Sequence, residues 1–212
     1  MCGIVGYFGN NDAVPLLIKG LKRLEYRGYD SAGLAIMSGD SFMVNKKAGK
    51  VAELESLVSE SGLTGSVGIG HTRWATHGEP SDLNAHPHTD YTGKFALIHN
   101  GIIENYAALK KLLEKKGVEF RTQTDTEVLV QLISTIYHEE DTTFQSAVTS
   151  ALEKIVGTYG IVVMCSDVPN QLIAARLGSP LVLGVGEGEY FIASDASPLV
   201  EYTRNVIYLG ES

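Results

Sequence analysis

Hydrophobic and polar positions along this chain change their period several times, and each change marks an element. Gly3-Ile4-Val5-Gly6-Tyr7-Phe8-Gly9 is a short apolar run that reads as a strand, which ties down the start of the chain. Asp12-Ala13-Val14-Pro15 carries a helix start, with Asp12 as the cap and Pro15 in the tolerated first turn. Leu17, Leu21 and Leu24 then recur at helical spacing until Arg27-Gly28-Tyr29-Asp30 breaks it. Residues 32–38 and 42–47 read as a hairpin around Gly39-Asp40. Val51, Leu54, Leu57 and Val58 mark a second helix, and residues 66–72 a strand.

Residues 73–91 are rich in Pro, His, Asn and Asp and read as a loop, long enough to suggest a functional one. Residues 94–99 form another strand, and Tyr106, Leu109 and Leu113 a third helix that Gly117 ends. Thr124-Asp125-Thr126-Glu127 has the form of a capping box opening a fourth helix through Tyr137. Residues 142–155 form a fifth, with a Thr-x-x-Gln start and a stop at Gly157. From Thr158 onward come short strands with turns at Val168-Pro169-Asn170, Gly178-Ser179-Pro180 and Glu187-Gly188-Glu189. Helices and strands mix without a βαβ alternation. That argues for an α+β layered fold of antiparallel sheets covered by helices.

Composition narrows the function classes. The chain has 212 residues with 44% hydrophobic and 20% charged, which suits one globular domain with a sizeable core. Its net charge of −8, without a basic run, argues against a nucleic-acid partner. No apolar run is long enough to cross a membrane, and no secretory leader pattern opens the chain. Two cysteines make no disulfide framework, and Cys165 in Ile161-Val162-Val163-Met164-Cys165 reads as a buried, inert thiol. A cytoplasmic protein is expected. Gly184-Val185-Gly186-Glu187-Gly188 does not match the dinucleotide fingerprint, there is no P-loop, and no cofactor is expected.

The candidate chemistry begins at Met1-Cys2. Removal of Met1 would leave Cys2 with a thiol and a free α-amine on one carbon, the pairing used by N-terminal nucleophiles. Many chains start this way and do nothing with it. Arg73, at a strand end, can grip a carboxylate bidentately, or be a surface Arg beside a core Trp74. Asn100-Gly101 can supply an amide and a backbone N–H to an oxyanion, or be a plain turn. Asp125 can hold an ammonium or merely help cap the fourth helix. His77, His86 and His88 share the long loop without metal-ligand spacing, so no metal site is expected. One of the six histidines could also serve Cys2 as a papain-type base. Taken together, Cys2, Arg73, Asn100, Gly101 and Asp125 suit an amino acid whose side chain ends in an amide.

Several stretches carry a resemblance. They are Met1-Cys2-Gly3-Ile4-Val5-Gly6, residues 24–33 (LEYRGYDSAG), 71–80 (HTRWATHGEP), 84–88 (NAHPH), 99–105 (HNGIIEN) and 124–127 (TDTE). The chain resembles the class II glutamine amidotransferase domain over residues 1–212. It is most similar to the glutaminase domain of the glucosamine-6-phosphate synthase family. The related amidophosphoribosyltransferases typically read Arg-Gly-Gln-Glu-Ser where this chain has Arg27-Gly28-Tyr29-Asp30-Ser31, so they fit less well. A glutamine-sensing module without catalysis is the alternative from another class.

The resemblance implies the N-terminal nucleophile hydrolase fold, two stacked antiparallel sheets between helical layers. It also implies hydrolysis of L-glutamine to glutamate and ammonia, with Cys2 as nucleophile and Asn100 and Gly101 as oxyanion donors. Arg73 and Asp125 become the substrate anchors, and Trp74, Thr76, His77 and His86 line or close the glutamine loop. The turn at residues 27–30 becomes a second loop over the site. The family's sugar-phosphate isomerase portion, which receives the ammonia, is expected to be absent from these residues. A homodimer is compatible with the resemblance.

Overall fold

The computed structural model describes residues 2–74 and 78–211. Seven strands form one sheet, in the order β11-β9-β10-β1-β4-β2-β3. They are β1 (Gly3–Phe8), β2 (Ser31–Ser38), β3 (Ser41–Ala48), β4 (Val67–Arg73), β9 (Val182–Val185), β10 (Tyr190–Ala193) and β11 (Val206–Tyr208). The other sheet has the order β5-β6-β7-β8, from β5 (His88–Thr89), β6 (Phe95–Ile103), β7 (Gly157–Cys165) and β8 (Leu172–Leu177). Every pairing within the two sheets is antiparallel.

Successive side chains of a strand point to opposite faces, and here both faces of the central strands are buried. In β1, Val5 and Tyr7 join the core beneath α1 (Ala13–Leu24) and α2 (Val51–Ser61), whereas Ile4 belongs to a second core. That second core lies between the sheets: Ala35, Val67 and Ile69 from one meet Ala96, Ile98, Val162 and Met164 from the other. Phe95, Leu97, Ile161 and Val163 form the third core, against α3 (Tyr106–Lys115), α4 (Asp125–Glu139) and α5 (Phe144–Leu152). The result is four layers, helices–sheet–sheet–helices, as the resemblance implies.

Most elements lie where the hydrophobic pattern places them, and the exceptions have local causes. Asp12 caps α1, its Oδ1 accepting from Val14 N at 3.1 Å. Thr124 Oγ1 accepts from Glu127 N, but the box is only half formed. Glu127 turns instead to Arg121 N and Thr122 N, at 2.9 and 2.6 Å, and ties down the preceding loop. The fifth helix is shorter than expected, because Thr143 and not Thr142 caps it, accepting from Ser146 N. Gly157 opens β7 rather than stopping a helix. β6 does not end at His99 but runs through Asn100 and Gly101 to Ile103, paired all the way with β7. Thus Asn100-Gly101 is not a turn. Cys165 is fully buried on β7, and burial pushes its thiol up to about 11, as an inert thiol requires.

Candidate functional site

Strand alternation carries the site residues to one place. Cys2 precedes Ile4 by two residues, His71 and Arg73 continue the face of Val67 and Ile69, and Asn100 continues the face of Ala96 and Ile98. All therefore fall on the inter-sheet faces, where the apolar core gives way to polar groups. A cavity of about 300 Å³ opens there. Cys2, Arg73, His86, Asn100, Gly101 and Asp125 are among the residues lining it. Trp74, the remaining expected residue that is described, lines it too. Thr76 and His77 lie outside the described residues, as does Met1.

Cys2 Sγ accepts the Trp74 N–H at 3.2 Å and lies 3.6 Å from Trp74 O. Burial raises the thiol pKa, and the Trp74 hydrogen bond only partly opposes it. At neutral pH the thiol is therefore protonated and needs a base. Among its described hydrogen-bond partners there is no histidine.

The Asn100 amide is oriented unambiguously. His71 Nε2 stands 3.1 Å from the His99 carbonyl and 3.0 Å from Asn100 Oδ1. A carbonyl can only accept, so Nε2 carries the hydrogen and the Asn100 atom facing it must be the oxygen. The Asn100 Nδ2 group is thereby turned toward Cys2 and donates to its carbonyl at 3.1 Å. Gly101 follows with φ +131°, where a Cβ would stand 2.0 Å from the Thr158 carbonyl. No side chain fits there, which keeps the backbone beside the cavity bare.

The two expected anchors, Arg73 and Asp125, are held by the surrounding structure. Arg73 is 4% exposed, and Nη2 donates to Gly78 O at 3.1 Å. Trp74 is 48% exposed and meets Tyr29 edge-on at 5.4 Å. This reverses the ordinary expectation of a surface Arg beside a core Trp. Strand alternation turns Arg73 inward, and the chain leaves the strand at Trp74. Asp125 is buried, but Thr124 does the capping. The Asp125 Oδ2 instead accepts from Ile103 N at 2.8 Å, on the wall of the cavity. The turn at residues 27–30 lies against the same strand end, with Asp30 N donating to Arg73 O at 3.2 Å. A Cβ on Gly28 would stand 2.8 Å from the Arg73 carbonyl carbon. Arg27, which also lines the cavity, donates to Ser194 O at 3.1 Å and lies 3.6 Å from Asp195.

Behind the cavity, four histidines converge that the sequence leaves scattered. The His71 and His86 rings lie 4.1 Å apart, tilted by 37°, and His88 meets His86 edge-on at 4.7 Å. Thr126 Oγ1 lies 3.0 Å from both His86 Nε2 and His99 Nδ1. His99 Nε2 donates to Thr158 O at 3.4 Å, so its Nδ1 accepts the Thr126 hydroxyl, which in turn accepts from His86 Nε2. Burial lowers the pKa of all four histidines, that of His71 to about 3, so they stay neutral. A neutral, hydrogen-bonded His86 or His99 gives no support to a papain-type pair. Among the described residues no group of three or more His, Cys, Asp or Glu is arranged to hold a metal ion.

Sequence reasoning missed His71, His99 and Thr126. For His71 a signal existed. It continues the alternating inward face of Val67 and Ile69 as a polar residue, and such a residue needs a partner.

The model of the glutamine amidotransferase domain matches residues 71–201. A glutamine–fructose-6-phosphate aminotransferase (isomerizing) of Bacteroides thetaiotaomicron is 57% identical over 212 residues, covering 100% of this chain and 34% of that protein. The protein of the same name from Chlorobaculum tepidum is 55% identical and is covered over 35% of its length. The chain thus spans about a third of these curated relatives. Among solved structures, the glutamine phosphoribosylpyrophosphate amidotransferase of B. subtilis, complexed with ADP and GMP, superposes with a TM-score of 0.83 at 29% identity. The match covers 98% of this chain and 44% of that one.

Proposed function

Because this chain belongs to the glutamine amidotransferase domain family, with the N-terminal nucleophile hydrolase fold of its structural neighbours, we propose that it hydrolyses the side-chain amide of L-glutamine through a thioester on Cys2. One observation carries the reading: Cys2, Asn100, Gly101, Arg73 and Asp125 line a single cavity of about 300 Å³. A partly buried, protonated thiol needs a base, and with Met1 removed the Cys2 α-amine, with a pKa of about 8, is the candidate on the same residue. It takes the thiol proton, through a water, as sulfur attacks the amide carbon. Asn100 Nδ2 and the Gly101 N–H receive the oxyanion. The C–N bond breaks, ammonia leaves with the returned proton, and water hydrolyses the thioester to glutamate.

Arg73 takes the substrate carboxylate and Asp125 its ammonium. Trp74 and His86 line the pocket, and Thr76 and His77 are assigned to the glutamine-binding residues by the resemblance alone. In a longer protein like the aminotransferases named above, the ammonia passes to fructose-6-phosphate to give glucosamine-6-phosphate. Identity above 50% to those proteins, against 29% to the phosphoribosylpyrophosphate amidotransferase, favours that acceptor.

The test is ammonia release from glutamine, with intact mass measured on the same sample. Activity should track the fraction of chains without Met1, since an amide nitrogen offers no basic lone pair near neutral pH. Full activity with Met1 on every chain would remove the α-amine from the mechanism, and no ammonia from fully processed protein would favour a glutamine-sensing module.

A further inference from the structure

His71 has no contact with the nucleophile, yet its one donor decides which end of the Asn100 amide faces Cys2. We infer that His71 is a positioning residue, whose Nε2–H holds Asn100 with Nδ2 toward the reacting centre. This rests on the reading of Asn100 as an oxyanion donor.

Three observations support it. First, the bond is two-pronged: Nε2 reaches the His99 carbonyl at 3.1 Å and Asn100 Oδ1 at 3.0 Å. The backbone carbonyl fixes the tautomer, and the tautomer fixes the amide. A flipped Asn100 would set its NH₂ group against an N–H, and its oxygen against the Cys2 carbonyl that Nδ2 now meets at 3.1 Å. Second, His71 is fully buried, and among the described residues its hydrogen bonds run through Nε2 alone. Third, the His86 ring lies tilted against it at 4.1 Å, which restricts its swing on that side. Oxyanion donors act by being aimed before charge develops, and a freely rotating amide would lose part of that advantage.

The experiment compares His71→Leu, His71→Asn and His71→Gln in the Met1-processed protein, alone and combined with Asn100→Ala. Leu removes the donor, Asn is too short to present one at the same place, and Gln carries an N–H near the Nε2 position. His71→Leu and His71→Asn should lower kcat about tenfold, as loss of an orienting partner typically does, with KM for glutamine within about twofold. His71→Gln should recover most of the rate. The combination with Asn100→Ala should be no slower than Asn100→Ala alone, because His71 acts only through that amide. Alkylation of Cys2 by iodoacetamide, which needs no oxyanion donor, should keep its wild-type rate in all three.

Wild-type kcat in His71→Leu or His71→Asn overturns the proposal. So does a double variant slower by the full product of the single effects, or alkylation that slows in step with turnover. If one of the two donor-free variants fails to fold, the other carries the same comparison. If neither folds while His71→Gln does, wild-type turnover in Gln counts for the proposal and a tenfold loss against it. If no variant at position 71 folds, the residue holds the fold rather than the amide and the proposal is overturned. A separate failure is distinguishable: unchanged turnover in Asn100→Ala itself would overturn the reading of Asn100.

Discussion

The two sheets contribute to the cavity in opposite ways. The seven-stranded sheet brings Cys2 and Arg73 from the ends of neighbouring strands, where β1 and β4 pair at Gly3 and Thr72 and the chain then leaves the sheet. The half-exposed Cys2 and exposed Trp74 form the open side. The four-stranded sheet brings Asn100 and Gly101 from inside a continuous strand, paired with Gly160 and Tyr159, with buried Asp125 behind them. In the proposed mechanism the oxyanion donors must be rigid before the reaction starts, and here a ladder fixes both neighbours. The proposed nucleophile must admit substrate and exchange a proton, and it sits at a strand end. The site is therefore a rigid wall facing a more open one.

This contrast can be broken from either side. The largest effect should come from the open side: Cys2→Ala should abolish ammonia release while the thermal midpoint barely moves, because Cys2 is not part of the apolar core. Near-normal release by that variant would end the mechanism. Next, on the rigid side, Asn100→Ala should lower kcat by about 10²–10³ and leave glutamine binding nearly intact. Lost binding with fast chemistry on bound substrate would assign Asn100 to the anchors instead.

Arg73→Lys replaces a planar fork with a point charge, and should raise KM and lower kcat/KM by about tenfold. An unchanged KM would place the substrate carboxylate elsewhere.

The smallest effect is on stability in mild acid. His71, His86, His88 and His99 are held neutral by burial, His71 with a pKa lowered to about 3. The unfolded chain binds protons near pH 6.5 and the folded one does not, so stability is present above that pH and lost as pH falls below it. Denaturant midpoints at pH 6.5 and pH 5, where carboxylates remain mostly ionised, should therefore differ clearly. A flat profile would mean that burial does not hold the four rings neutral.

Much of this was legible in the chain. The period-2 alternation of β1, β4 and β6 assigns each residue a face without reference to any partner, because backbone geometry alone sets it. Asp12 and Thr124 mark helix starts for the same local reason: a side-chain oxygen satisfies an N–H two or three residues on. The motifs around Cys2, Arg73, Asn100 and Asp125 named the candidate residues. What tertiary structure alone decided involves distant pairs. β10 is brought beside β1, so that Ser194 Oγ receives the Ile4 N–H across 190 residues. Pairing with β7 carries β6 past His99, where local signals suggested a stop. The loop after Arg73 folds its His86 onto His71, and Thr126 from α4 joins His86 to His99. Alternation assigns a residue its face, but which element covers that face depends on burial and hydrogen-bond satisfaction summed over the whole chain, and no local pattern records that sum.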